Sequence, residues 1–129
     1  MSLQLVERDL ARLESLWDHG LSDAYHSYLE TVAAYEPAAQ PRLALAAALV
    51  EVGLGMQGLG GRAAAAPTLL MGDLCLARSA RLLADAAPQS VQIAFARAIE
   101  YLSAAAAAGK SVTSPQTREL LVHAFELSS

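Results

Sequence analysis

Three stretches of this sequence carry residue types at spacings that could do chemistry. The first is GLGMQGLGG, residues 53–61, in which Gly53, Gly55 and Gly58 match the G-x-G-x-x-G dinucleotide fingerprint letter for letter. Such glycines bind a nucleotide only when they follow a strand, open a helix and precede an acidic residue about 20 positions on. Here they end an alanine-rich apolar run, and the acidic residue near that distance, Asp73, lies inside another helical pattern. A nucleotide site is therefore not expected. Gly109-Lys110-Ser111 fails in the same way as a phosphate loop, because Ala104 stands where its first glycine is required.

The second stretch is His19, Asp23 and His26, which offers two imidazoles and a carboxylate. The break at 20–22 takes them off a shared helical face, and no third nitrogen or sulfur ligand is near, so no metal is expected there. The third is Gly72-Asp73 within an apolar helical pattern, followed by Arg78 and Arg81. A glycine inside a helix costs about 1 kcal/mol relative to alanine, so the pair needs a structural reason. Asp73 is expected to bond a neighbouring helix or a partner, and Arg81 to pair with Asp85 four positions on. Cys75 is the only cysteine, which excludes an intramolecular disulfide, and its expected role is that of a small core hydrophobe. Trp17, Tyr25, Tyr28 and Tyr35 read as core or interface anchors.

The elements that must hold these residues are helices. Of the 129 residues, 54% are hydrophobic and only 5% aromatic, so Ala, Leu and Val build the core. Six helical stretches can be read, with no strand. Residues 3–17 show apolar spacings of 3 and 4 and should stop at Gly20. A second helix is expected from an N-cap at Ser22, with Tyr25, Tyr28, Leu29 and Val32 on its apolar side. Residues 41–56 are apolar on nearly every side and read as a central buried helix closed by the glycines that follow. Pro67 and Pro88 suit the first turns of helices over 68–87 and 89–108, the latter stopped by Gly109. Ser114-Pro115 is the expected N-cap and N1 pair of a last helix over 116–127, with Leu120, Leu121, Ala124 and Leu127 as its apolar face. The expected architecture is all-α, a single domain over 1–129, an antiparallel bundle of about six helices.

Charge and hydropathy exclude several classes of function. The net charge of −4 has no basic cluster to set against it, so no nucleic-acid partner is expected. Glu51, Arg62 and Asp73 interrupt the longest apolar runs well short of the roughly 20 residues that cross a bilayer. With no apolar signal-peptide core near the start, a cytoplasmic location is expected.

The segment PTLLMGDLCLARSARLLADAA resembles the stretch after the first aspartate-rich motif of the trans-type isoprenyl diphosphate synthases, the polyprenyl synthetase family. Leu70, Gly72, Asp73, Leu76, Ala77, Arg78, Leu82, Leu83 and Ala84 carry the likeness. Upstream, AAALVEVGLGMQ resembles the helix that delivers that family's first aspartates, and downstream SVQIAFARAIEYLSAAAAAG sits where the family has its next long helix, so the likeness spans about 42–109. It implies the N-terminal half of the isoprenoid synthase fold. The family ionises an allylic diphosphate over Mg²⁺ held by two DDxxD motifs. This sequence contains no Asp-Asp pair and has no acidic residue between Glu51 and Asp73. Glycines and an arginine, 60–62, stand where the first motif belongs.

The resemblance therefore implies a non-catalytic subunit without metal or cofactor, similar to the short subunit of heterodimeric long-chain prenyl diphosphate synthases. Such a subunit pairs with a full-length catalytic synthase and helps set product length. Gly72, Asp73, Ala77, Arg78, Ala80 and Arg81 are then candidates for the subunit face. Leu49, Val52 and Met56 are candidates for the wall of a tunnel holding the growing chain. Alone, the chain is expected to form a homodimer. The rival expectation is a self-associating helical scaffold, or a protein binding some other apolar ligand.

Overall fold

The computed structural model describes residues 20–57, 66–110 and 112–126. Within them the chain is all-α, with five helices and no strand: α1 (Ser22–Thr31), α2 (Gln40–Met56), α3 (Ala66–Ala86), α4 (Gln89–Ala107) and α5 (Ser114–Glu126). The helix expected over 3–17 and the glycines at 58, 60 and 61 lie outside the described residues.

The bundle is arranged around α2, which touches α1, α3 and α5. Leu43, Ala44, Ala46, Ala47, Ala48, Leu49, Val50, Gly53 and Leu54 of α2 are all buried. They point in every direction around the helix axis, as its nearly unbroken apolar sequence predicts. Alanines let neighbouring backbones approach closely. The antiparallel sense of α2 and α3 is read from their register. Ser79 donates its hydroxyl to the Ala46 carbonyl at 2.8 Å, while Gly72 meets Gly53 near the other end.

That second contact accounts for two of the glycines. A Cβ built on Gly72 would sit 2.8 Å from the Gly53 carbonyl oxygen, and one built on Gly53 would sit 3.1 Å from the Gly72 oxygen. The first glycine of the fingerprint-like stretch is therefore a helix-crossing residue. The side chain of Gln57 caps the same crossing by donating to the Asp73 carboxylate.

The remaining helices each bury one stripe. Ala24 and Tyr28 of α1, with Leu21 and Val32 flanking its two ends, face inward at spacings of 3 and 4. On α4 the stripe is Val91, Phe95, Ala98 and Leu102. On α5 it is Thr117, Leu121, Ala124 and Phe125. Phe95 and Phe125 meet edge to face with centroids 5.0 Å apart, and the Tyr35 hydroxyl donates to the Phe125 carbonyl at 2.6 Å. Each large side chain buried in this way is worth about 1.5–3 kcal/mol relative to exposure.

Helix ends differ from expectation in three places. Ser22 is the first residue of α1 rather than its N-cap. Leu21 precedes it in helical conformation, buried at 2% exposure, and the core holds that residue in the helix. Pro88 sits one position earlier than expected, as the N-cap residue of α4, with an extended ψ of 153°. Thr113, not Ser114, caps α5. Its hydroxyl accepts from the Gln116 amide at 3.3 Å and its own amide donates to Gln116 Oε1 at 2.9 Å, a reciprocal capping box. The expected stop at Gly109 is present, with φ +79°. Lys110 N–H returns to the Ala105 carbonyl and Gly109 N–H to that of Ala106, the paired bonds of a Schellman motif. No helix among the described residues is long and apolar enough to cross a membrane.

Candidate functional site

One acidic side chain interrupts the apolar surface of α2. Glu51 is only 8% exposed, and a buried carboxylate is stable only when it is paired and hydrogen-bonded. Three donors meet it. Tyr28 of α1 donates its hydroxyl to Oε1 at 3.0 Å. Arg118 of α5 donates Nε to Oε1 at 2.9 Å and Nη2 to Oε2 at 2.8 Å, a side-on pair of parallel bonds. The same Nη2 lies 3.7 Å from the exposed Asp23 carboxylate. The guanidinium carbon sits 5.7 Å above the Tyr28 ring. Two consecutive helices, α1 and α2, are tied at one point to the distant α5.

The electrostatics follow from this geometry. Burial, then the charge of Glu51 and the hydrogen bond to it, pushes the Tyr28 phenol far above its usual range. The hydrogen bond to Glu51, with that carboxylate's charge, raises the Arg118 guanidinium further, against the effect of its own burial. Tyr28 stays a neutral donor and Arg118 a fixed cation. With both carboxylate oxygens engaged by these donors, the arrangement suits a structural tie better than proton transfer.

Arg118 also borders an open groove of about 1080 Å³ between the C-terminal part of α4 and α5. Leu102, Ala105, Val112, Leu120 and Val122 give it apolar walls, and Lys110, Glu119 and His123 stand among its polar residues. A cleft of this size could hold an apolar ligand or a helix.

The sequence-level candidates fall elsewhere. Gly72 is buried in the α2–α3 crossing, while Ala77 and Ala80 are exposed, so these three small residues do not share one face. Asp73 is exposed and accepts from Gln57. Arg78 is half-buried, and Arg81 makes the expected contact with Asp85 at 4.0 Å. Leu49 is sealed in the core, with Val52 and Met56 half-buried, and none of the three lines the groove. Asp23 faces Arg118, and His26 donates Nδ1–H to the Ser22 carbonyl at 2.7 Å. His19 lies outside the described residues. Among the described residues no group of three or more His, Cys, Asp and Glu side chains could hold a metal ion. Cys75 is fully buried, and burial pushes its thiol up to about 11.

Sequence reasoning misses the Glu51 network. A signal for it exists, since Glu51 is the only charged residue from Leu43 to Met56, and a carboxylate on a helix buried all round needs a paired donor. Which arginine supplies it depends on tertiary packing. No family model, no curated protein and no solved structure matches this chain.

Proposed function

We propose that this chain is a non-catalytic subunit of a heterodimeric polyprenyl diphosphate synthase, helping to set the length of the prenyl product. The observation that carries the reading is the α2–α3 crossing. Two of the stretches that resemble the synthase family, 46–57 and 67–87, form one antiparallel pair, with Gly72-Asp73 set against Gly53 and Gln57. The absence of any Asp-Asp pair in the sequence supports a non-catalytic role. Leu69 and Leu70 of α3, the latter 67% exposed, are apolar surface that a catalytic subunit would cover.

The test is co-expression with a full-length, DDxxD-containing prenyl synthase, followed by affinity capture and chromatography of the products formed from allylic and isopentenyl diphosphates with Mg²⁺. Stable capture and a shift in product length are expected, with no turnover by the chain alone. Absence of capture, or turnover by the chain alone after repurification, overturns the reading.

The groove between α4 and α5 favours a second reading, in which the chain binds an apolar ligand itself. Replacing Ala105, which lines the groove, with Trp should then abolish binding of a fluorescent fatty acyl probe. Binding that survives the substitution counts against this reading.

A further inference from the structure

The outward face of α4 is as patterned as its inward one. Val91, Phe95, Ala98 and Leu102 are buried. On the opposite side Ile93, Arg97, Glu100 and Ala104 form an exposed seam spaced 4, 3 and 4 residues apart, with Tyr101 beside it. Ile93 is 45% exposed and Tyr101 67%, two of the four large hydrophobic residues most exposed among the described residues. Spacings of 4 and 3 are those by which one helix packs along another.

The order of residues along the seam makes it complementary to itself. From a point midway between Arg97 and Glu100, the cation and the anion are equally distant in opposite directions, and so are bulky Ile93 and small Ala104. We infer that this face of α4 binds a second copy of the chain, α4 against α4 in antiparallel orientation. In that register each Arg97 faces Glu100 of the second copy, giving two ion pairs. Each Ile93 packs onto Ala104, and each Tyr101 flanks the opposing Arg97, where a ring face can receive the cation. A parallel pairing in register would set Arg97 against Arg97 and lose this complementarity. Self-association through α4 is independent of the prenyl synthase reading, which concerns a different partner. A single pair of helices buries less than the roughly 1,200 Å² of a standard interface, so the association is expected to be weak and concentration-dependent.

The test uses the purified chain in sedimentation equilibrium from about 10 µM to about 1 mM, a span suited to weak affinities. The wild type should pass from monomer to dimer. Arg97→Glu sets a carboxylate against the opposing Glu100, and Glu100→Arg sets a guanidinium against the opposing Arg97. Each variant alone should therefore dimerise at least about tenfold more weakly. Mixed one to one, the two variants should associate as the wild type does, because every charge on the seam again meets its opposite. Both sites are exposed, and circular dichroism with urea unfolding should show unchanged folds. A wild type monomeric at the highest concentration overturns the inference. So do single variants that dimerise undiminished, or a mixture that does not recover. None of these outcomes bears on capture by a catalytic synthase.

Discussion

Glu51 and Arg118, 67 residues apart in the chain, meet through two parallel hydrogen bonds of 2.9 and 2.8 Å and join α2 to α5. Removing one partner from such a pair leaves a buried charge without its compensating donor. Arg118→Met should lower stability by about 2–3 kcal/mol, less than for a fully buried pair because the arginine side chain is one-third exposed to solvent. Glu51→Leu combined with Arg118→Met should cost less than the two single changes together, with a coupling of about 1–3 kcal/mol in urea unfolding. Strict additivity would show that the pair contributes no coupling.

The crossing of α2 and α3 predicts opposite outcomes for two glycines. Gly72→Ala places a methyl group 2.8 Å from the Gly53 carbonyl oxygen. It should destabilise by about 2 kcal/mol, because the backbone clash outweighs a helix-propensity gain of about 1 kcal/mol. Gly55→Ala meets nothing within 4 Å and should stabilise by about 0.5 kcal/mol. Thermal unfolding of both variants against the wild type checks the contrast.

Alkaline pH should weaken the fold through two buried acids. Cys75 is held at about 11 against an ordinary 9.0, and Tyr28 is raised beyond the range of an ordinary phenol. In both cases the folded state keeps a proton that the unfolded state releases. Their contribution is complete below the unfolded values and is lost as pH rises, from about 9 for the thiol and about 10 for the phenol. Each group alone should give a slope approaching about 1.4 kcal/mol per pH unit. Urea midpoints between about pH 8 and about pH 11 should fall, and Cys75→Ala should flatten the earlier part of the fall. An unchanged pH profile in that variant would refute the assignment.

The cap of α5 predicts a smaller effect. Thr113→Ala removes the hydroxyl that accepts from Gln116 and should cost about 1 kcal/mol. Ser114→Ala should be near neutral, since Ser114 already lies within the helix. Equal losses in the two variants would return the cap to Ser114.

Helical periodicity makes most of the described fold legible in the sequence. The apolar residues Tyr28, Val32, Leu121 and Ala124 face inward as their spacing requires, and Cys75 packs as a hydrophobe. Gly109 stops α4 with the positive φ its type allows. Caps are less legible because a run such as Thr113-Ser114-Pro115 offers two hydroxyls, and only the position of Gln116 decides between them. The Gly53–Gly72 contact is hidden for another reason. A glycine required by a neighbouring backbone looks the same in sequence as one required by a ligand. The Tyr28–Glu51–Arg118 tie joins residues with no local pattern in common, and only the packing of α1 and α5 on α2 brings them together.

The distance between Glu51 and Arg118 along the chain also constrains the order of events during synthesis. Tyr28 and Glu51 leave the ribosome well before residue 118. Until α5 arrives, any docking of α1 onto α2 would enclose a carboxylate whose cation has not yet been made. Before then α1 offers that carboxylate only the Tyr28 hydroxyl, so final closure of this part of the bundle is expected to wait for its last described helix. A nascent chain stopped before Arg118 should leave Glu51 in contact with water. An otherwise alanine-rich, locally folding protein would in this way make its consolidation a late, long-range step.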